Sequence, residues 1–321
     1  MPKPLIAIAD SVFPSLDSAK EIFSKLDATV VLAENSTSAA IIEVARDADA
    51  LMVTFAQINS EVIASLNKCR AIGRFGIGVD NIDIDAATKA GIQVCYVPDY
   101  CLDEVSDHAI ALLMSLARKI TYSNSLVQAG RWEGKAIAPL WRIRGRTLGL
   151  VGLGKIPQTL APKAQALGLS IIAHDPYVSA EVAAALKIEL VTFDDLLERS
   201  DYISLHAPLT EETENLFSVS AFEKTKPEAL LINTARGPMV DEQALADALD
   251  AGRLAGAALD VLPNEPPAAD CPLLNRENVI LTPHTAFYSE DSLLDLQTKA
   301  AMDVASVLTG EAPVYPFNQL A

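Results

Sequence analysis

The chain has 321 residues, too long for one ordinary core and suited to two domains. Half of it is hydrophobic and 21% is charged, a balance that buries a core and excludes a disordered chain. The formal net charge of −17 repels nucleic-acid phosphates and an anionic membrane face, so neither is an expected partner. It also repels a free organic acid, so a site for one needs local arginines.

The opening MPKPLIAIAD enters a strand-like segment with no signal-peptide pattern, and no apolar run reaches the roughly 18 residues of a membrane span. The expectation is a soluble, cytoplasmic protein. Cys69, Cys95, Cys101 and Cys271 form no C-x-x-C pair, so neither a metal site nor a disulfide framework is expected.

In chain order, LIAIA, ATVVLA, ALMVTF, AIGRFG and IQVCYVP alternate with helical patterns at a spacing of about 21 residues, which predicts a parallel sheet with helices on its faces. After Pro98 a long helical stretch, CLDEVSDHAIALLMSLARKI, carries Leu102, Val105, Ala109, Leu112, Leu113 and Leu116 on one face. Near residue 147 a second α/β series opens: TLGLV, SIIAHD, KIELV, YISLHA, ALLINTA, AGAALDV and NVILTPH. Between them lies DEQALADALDAG, whose glycine is a candidate C-cap. The helical SEDSLLDLQTKAAMDVASVLTG, opened by a serine and acids and closed by glycine, follows.

The second series begins with a strand, Gly152-x-Gly154-x-x-Pro157, and a helical pattern, the layout of a dinucleotide fingerprint. Gly152 permits the tight turn, Gly154 admits the pyrophosphate to the backbone, and the helix N-terminus offers N–H groups and a positive dipole end. Pro157 replaces the third glycine, which the first helical turn tolerates because proline lacks only an N–H not used there. Asp175, 21 residues beyond Gly154 and at the end of the next strand, is placed to bind both ribose hydroxyls. It also fits a turn or capping residue before Pro176. No arginine follows closely to welcome a 2′-phosphate, so the cofactor is read as NAD.

Three segments at strand ends stand out: NTARG around Arg236, DVLPNEP around Glu265 and TPHTA around His284. In a doubly wound sheet the carboxyl ends of the strands face the ligand crevice, where all three can meet.

Through RFGIGVDNID, VPDYCLDEVSDHA, VGLGKI, HDP, INTARGPMVDE, ALDVLPNEPP and TPHTAFYSE, the chain resembles the D-isomer-specific 2-hydroxyacid dehydrogenases over essentially its whole length. More narrowly it resembles the branch that includes the C-terminal-binding-protein dehydrogenases. The resemblance implies two doubly wound parallel-sheet α/β domains: a Rossmann NAD domain, residues 101–285, inserted in a flavodoxin-like substrate domain, residues 1–100 plus 286–321. It implies hydride transfer between NAD(H) and a small 2-hydroxy acid/2-keto acid pair, in a homodimer held through the segment after residue 100.

Residue by residue, the resemblance implies that His284 is the acid/base. Glu265 orients its ring and favours imidazolium, and Arg236 binds the substrate carboxylate and polarises the carbonyl. It places Gly152, Gly154, Lys155, Ile156, Asp175, His206, Pro208, Thr213, Thr234, Ala235 and Asp260 along the cofactor, with no metal. Arg74, Ile77 and Gly78 match a substrate-carboxylate loop. Tyr100 matches a substrate-proximal position, where a packing tyrosine fits as well. His108, on the connecting helix, is expected to have a core or interface role, and the basic residues 131–146 to be a solvated or subunit-facing segment. Two rivals are an NAD(H)-sensing corepressor-like protein and a relative acting on formate or phosphite; Glu265, where formate enzymes of the family carry glutamine, argues against formate.

Overall fold

A computed structural model describes residues 3–320. The chain divides into two compact units, Met1–Tyr100 with Ser289–Ala321, and Cys101–Tyr288.

The first unit holds β1 (Leu5–Ile8), β2 (Thr29–Leu32), β3 (Ala50–Val53), β4 (Ala71–Arg74) and β5 (Gln93–Cys95). They form one parallel sheet in the order β2-β1-β3-β4-β5. The central strands β3 and β4 are buried along their whole length, because helices cover both faces of a parallel sheet and leave no residue a solvent side. Ile41, Leu51, Val53, Ile72 and Val94 form part of the core. The helix Glu290–Thr309 belongs to this unit and packs on β4 and on the helix Asp17–Ser24. Its N-cap Ser289 and Ser292 make a reciprocal capping box, and Gly310 ends it with φ 87°. Such a cap stabilises a helix by about 1 kcal/mol.

The second unit holds β6 (Thr147–Val151), β7 (Ser170–His174), β8 (Glu189–Leu190), β9 (Tyr202–Leu205), β10 (Leu230–Asn233), β11 (Gly256–Leu259) and β12 (Val279–Leu281). All pair in parallel, in the order β12-β11-β10-β9-β6-β7-β8. The first strand, β6, therefore lies between β7 and β9, and the winding reverses there. That reversal opens a crevice above the carboxyl ends, the usual ligand position in such sheets.

Two local expectations need correction. The helical stretch after Pro98 does not run on to Ile120: one helix spans Leu102–Ala117, Lys119 takes φ 50°, and a second helix spans Ile120–Gln128. Leu116 is the last residue of the buried face, and a left-handed residue cannot continue a right-handed helix. The helix Glu242–Asp250 has Ala251 as its C-cap, and Gly252, with φ 65°, takes the left-handed position one residue later. The helix Leu102–Ala117 packs on the helix Lys155–Ala166 and on β10 and β11, so this unit is built well before its first strand. Among the described residues no helix is long and apolar enough to cross a membrane.

Candidate active site

The turn after β6 is built around Gly152, with φ 91°. A Cβ there would lie 2.8 Å from the Ala207 nitrogen and 3.0 Å from the His206 carbonyl carbon, so only glycine lets the turn close on the end of β9. Gly154 is the N-cap of the helix Lys155–Ala166, and the space where its side chain would be is open. Lys155 and Ile156 bring first-turn N–H groups that have no carbonyl one turn earlier. Pro157 has none, so this helix start offers one donor fewer, with the same dipole direction.

Asp175 lies just past β7. Its Oδ2 accepts the Leu153 N–H at 2.7 Å, and its Oδ1 accepts those of Tyr177 at 2.8 Å and Val178 at 3.1 Å. The carboxylate is thus a turn residue and a brace for the glycine turn together. Three of its roughly four acceptor sites are taken by backbone N–H groups, and about one stays open on Oδ2.

Past β9, His206 Nε2 is 2.8 Å from Ser204 Oγ, and burial pushes the His206 ring down to about 3, so it is neutral near pH 7. Thr213 donates to the Pro208 carbonyl at 2.7 Å, tying that loop together. Past β10, the Thr234 hydroxyl is buried with no hydrogen-bond partner among the described residues. A tight glycine turn, a helix start, a carboxylate and an unspent buried hydroxyl at one sheet edge fit a dinucleotide.

Arg236, Glu265 and His284 follow three adjacent strands, β10, β11 and β12, at their carboxyl ends. Asn233, buried at the end of β10, accepts the Ala235 N–H at 2.9 Å and donates to the Arg236 carbonyl at 2.8 Å. Next to it, a Cβ on Gly237 would lie 2.0 Å from the Leu262 carbonyl carbon and 2.4 Å from the Pro263 nitrogen. The arginine loop and the glutamate loop touch backbone to backbone because residue 237 has no side chain.

Glu265 Oε1 accepts the Leu262 N–H at 3.0 Å, and its Oε2 is 2.7 Å from His284 Nδ1. Burial raises the Glu265 carboxyl, but the His284 hydrogen bond and charge, the Leu262 N–H and the Arg236 charge outweigh it, so the group is held below its ordinary value. With Nδ1–H directed at the carboxylate, a neutral His284 ring has its lone pair on Nε2, the form that takes a proton from an alcohol.

His284 adopts φ 53°, rare for a side-chain-bearing residue and a cost of order 1–3 kcal/mol. The compensation is visible: its N–H donates to the Asp260 carbonyl at 2.8 Å. The Asp260 carboxylate, 2% exposed as a residue, accepts the N–H groups of Thr285 at 3.0 Å and Ala286 at 2.8 Å and the Thr282 hydroxyl at 2.5 Å.

In the first unit, Arg74 ends β4, is buried, donates to the Phe75 carbonyl and lies 5.8 Å from the Phe55 ring centroid. Ile77 and Gly78 follow in the loop after β4, and Tyr100 is buried. Burial pushes the Cys69 and Cys95 thiols up to about 12, so both are unreactive. No cluster of three or more metal-ligating side chains occurs among the described residues. Sequence reasoning missed Asn233, Gly237 and Thr282, whose importance lies in contacts between loops that no local pattern signals.

A model of the NAD-binding domain of D-isomer-specific 2-hydroxyacid dehydrogenases matches residues 110–286, more than half of the chain. The chain belongs to this family. The matched residues lie within the second unit. A D-3-phosphoglycerate dehydrogenase of Archaeoglobus fulgidus is 42% identical over 79% of this chain and 48% of its own length. One from Mycobacterium tuberculosis is 37% identical over 97% of this chain and 58% of its own. The chain thus spans about half the length of these curated relatives, which bear the phosphoglycerate name rather than that of the corepressor branch. Among solved structures, a glyoxylate reductase of Paecilomyes thermophila (28% identity, TM-score 0.89, 99% of both chains) shares the fold. So does an Aquifex aeolicus D-lactate dehydrogenase complexed with NAD and lactic acid (25% identity, TM-score 0.87, 96% of both chains).

Proposed function

We propose that the protein interconverts a small 2-hydroxy acid and its 2-keto acid with NAD, using His284 as acid/base, Glu265 as its partner and Arg236 as the substrate anchor. The observation that carries this reading is the 2.7 Å His284–Glu265 pair, set at the same sheet edge as Arg236. Bound NAD supplies the hydride acceptor, and NADH the donor. In oxidation, His284 Nε2 takes the hydroxyl proton, and Glu265 stabilises the imidazolium that results. In reduction, the same Nε2–H returns the proton to the carbonyl oxygen. Arg236 presents a permanent planar charge to the carboxylate and carbonyl, a geometry lysine does not reproduce.

In this reading Gly152, Gly154, Lys155 and Ile156 hold the pyrophosphate and Asp175 a ribose hydroxyl. His206, Pro208, Thr213, Thr234, Ala235 and Asp260 border the rest of the cofactor. Arg74, Ile77, Gly78 and Tyr100 belong to the substrate side, the first unit serves as substrate domain, and the protein works as a cytoplasmic homodimer. A purely NAD(H)-sensing role is disfavoured, because it has no use for the paired acid/base.

The substrate's remote end is proposed to be uncharged. The loops after β1 and β3, residues 9–16 and 54–59, contain no lysine or arginine. Asp10, in the first of them, accepts the N–H groups of Thr54 at 2.8 Å and Phe55 at 2.7 Å in the second, spending donors that an anion would need. The test is NADH consumption against 2-keto acids of graded size, one of them also supplied as its phosphate ester, with NADPH as control. Turnover of an unphosphorylated acid with NADH is expected, at about tenfold or more higher kcat/KM than its ester, since one lost charge-assisted contact costs that much. NADH binding with no turnover of any acid would overturn the enzymatic reading, and preference for the ester would overturn the substrate assignment alone.

A further inference from the structure

His108 stands on the helix Leu102–Ala117, 174 residues before Thr282 in the chain. Its Nε2 is 3.1 Å from Thr282 Oγ1 and 3.5 Å from Asp260 Oδ1. The direction of these hydrogen bonds follows from counting protons. A threonine hydroxyl has one proton, and Asp260, as a carboxylate receiving two backbone N–H groups, only accepts. At 2.5 Å from Asp260 Oδ1, Thr282 must spend its proton there. Its oxygen then faces His108 as an acceptor, so His108 Nε2 carries a proton.

Each link downstream bears on the same turn. Asp260 holds the N–H groups of Thr285 and Ala286, the residues directly after His284, and its own carbonyl holds the His284 N–H. These contacts, with the Thr282 carbonyl that the His284 N–H also reaches at 3.0 Å, brace the left-handed His284 backbone, and the direction of its ring depends on that backbone.

We propose that His108 is a positioning residue for His284: by donating Nε2–H to Thr282 it commits the threonine's only proton to Asp260, which in turn fixes the turn that presents the acid/base ring. This rests on His284 being the acid/base. His108 itself touches no reacting atom; it acts through Thr282 and Asp260. The histidine is therefore part of the catalytic apparatus through one helix face, although its sequence setting is that of an ordinary amphipathic helix.

Two substitutions separate positioning from packing. In His108→Gln the side-chain amide can place an N–H near the former Nε2, whereas His108→Leu fills similar volume with no donor. The expected result is a kcat loss of about tenfold or more in His108→Leu, in the range that small misplacements of reacting groups cause. The KM is expected to change little, and His108→Gln to recover most of the loss. Thr282→Val should reproduce the leucine defect and Thr282→Ser should relieve it, which keeps the test decisive if His108→Leu does not fold.

A second readout does not depend on activity. The side-chain nitrogens of the four histidines, followed by 15N NMR in the full chain and assigned with His108→Gln, should show His108 protonated at Nε2. An Nε2 without a proton would overturn the proposal. So would wild-type kcat in His108→Leu, or equal losses in the glutamine and leucine variants. Absence of turnover in the wild type, with Nε2 protonated as expected, would instead count against the acid/base reading on which the proposal depends.

Discussion

Replacing Gly237 by alanine adds one methyl group where the structure has no room for it. The new Cβ would stand 2.0 Å from the Leu262 carbonyl carbon and 2.2 Å from its oxygen. Real Cβ contacts essentially never fall under 3.0 Å, so the two loops must part by about 1 Å, and both sides of the contact are backbone that cannot swing away like a flexible side chain. Arg236 is on one loop, and the other leads to Glu265 three residues past Leu262. Misplacement of reacting groups by about 1 Å costs up to about a hundredfold in rate. The stability cost of forced overpacking is smaller, about 1–3 kcal/mol, a fall in Tm of a few degrees for a protein of this size class. We therefore expect Gly237→Ala to stay folded, to bind NAD nearly as the wild type does, and to lose about ten- to a hundredfold in kcat. Steady-state turnover, NADH fluorescence titration and thermal denaturation measure the three quantities separately. A folded Gly237→Ala with wild-type kcat would refute the close-approach reasoning.

Glu265 offers a pH-dependent test. Its carboxyl is held below its ordinary value of 4.5, so the stability it contributes is fully present above that unfolded value and is lost as pH falls through the lower folded one. The Tm difference between wild type and Glu265→Gln should shrink as pH falls below about 4.5; a difference that persists undiminished at lower pH would contradict the assigned cause. Asp175→Asn keeps one side-chain oxygen, enough for the Tyr177 and Val178 N–H groups, but puts an NH2 where Oδ2 accepts the Leu153 N–H and removes the charge. The preference for NAD over NADP should fall by about tenfold or more, and unchanged selectivity in paired kinetic assays would sink the role given to Asp175.

Much of the architecture is legible in the amino-acid sequence because a parallel α/β sheet writes its strands as short buried runs. β3, ALMV, reads as a continuous apolar segment, since both faces are covered. The glycine turn after β6 reads as a dinucleotide fingerprint, whereas the strand order that puts β6 at the winding reversal comes from the structure. Helix ends were less legible: nothing in LARKITYS announces the left-handed Lys119, because a lysine there signals neither a cap nor a break. Arg236, Glu265 and His284 could be picked out because each follows a strand, and strand ends share an edge. The contacts that hold them were hidden. The Gly237 approach to Leu262 and the His108–Thr282–Asp260 chain join segments far apart in sequence, and they depend on distances of a few tenths of an ångström. Asp175 was a matter of two readings, turn residue or cofactor ligand, and the structure shows the turn contacts while leaving about one acceptor site open.

The most direct measurement is turnover by His284→Ala beside the wild type, with NADH affinity determined on the same samples. The account predicts a loss of about a hundredfold or more in kcat, the typical contribution of a positioned acid/base, with NADH binding retained, because His284 is not among the residues assigned to the cofactor. Turnover at the wild-type rate, with binding intact, would contradict the assignment of His284 as the proton-transferring group.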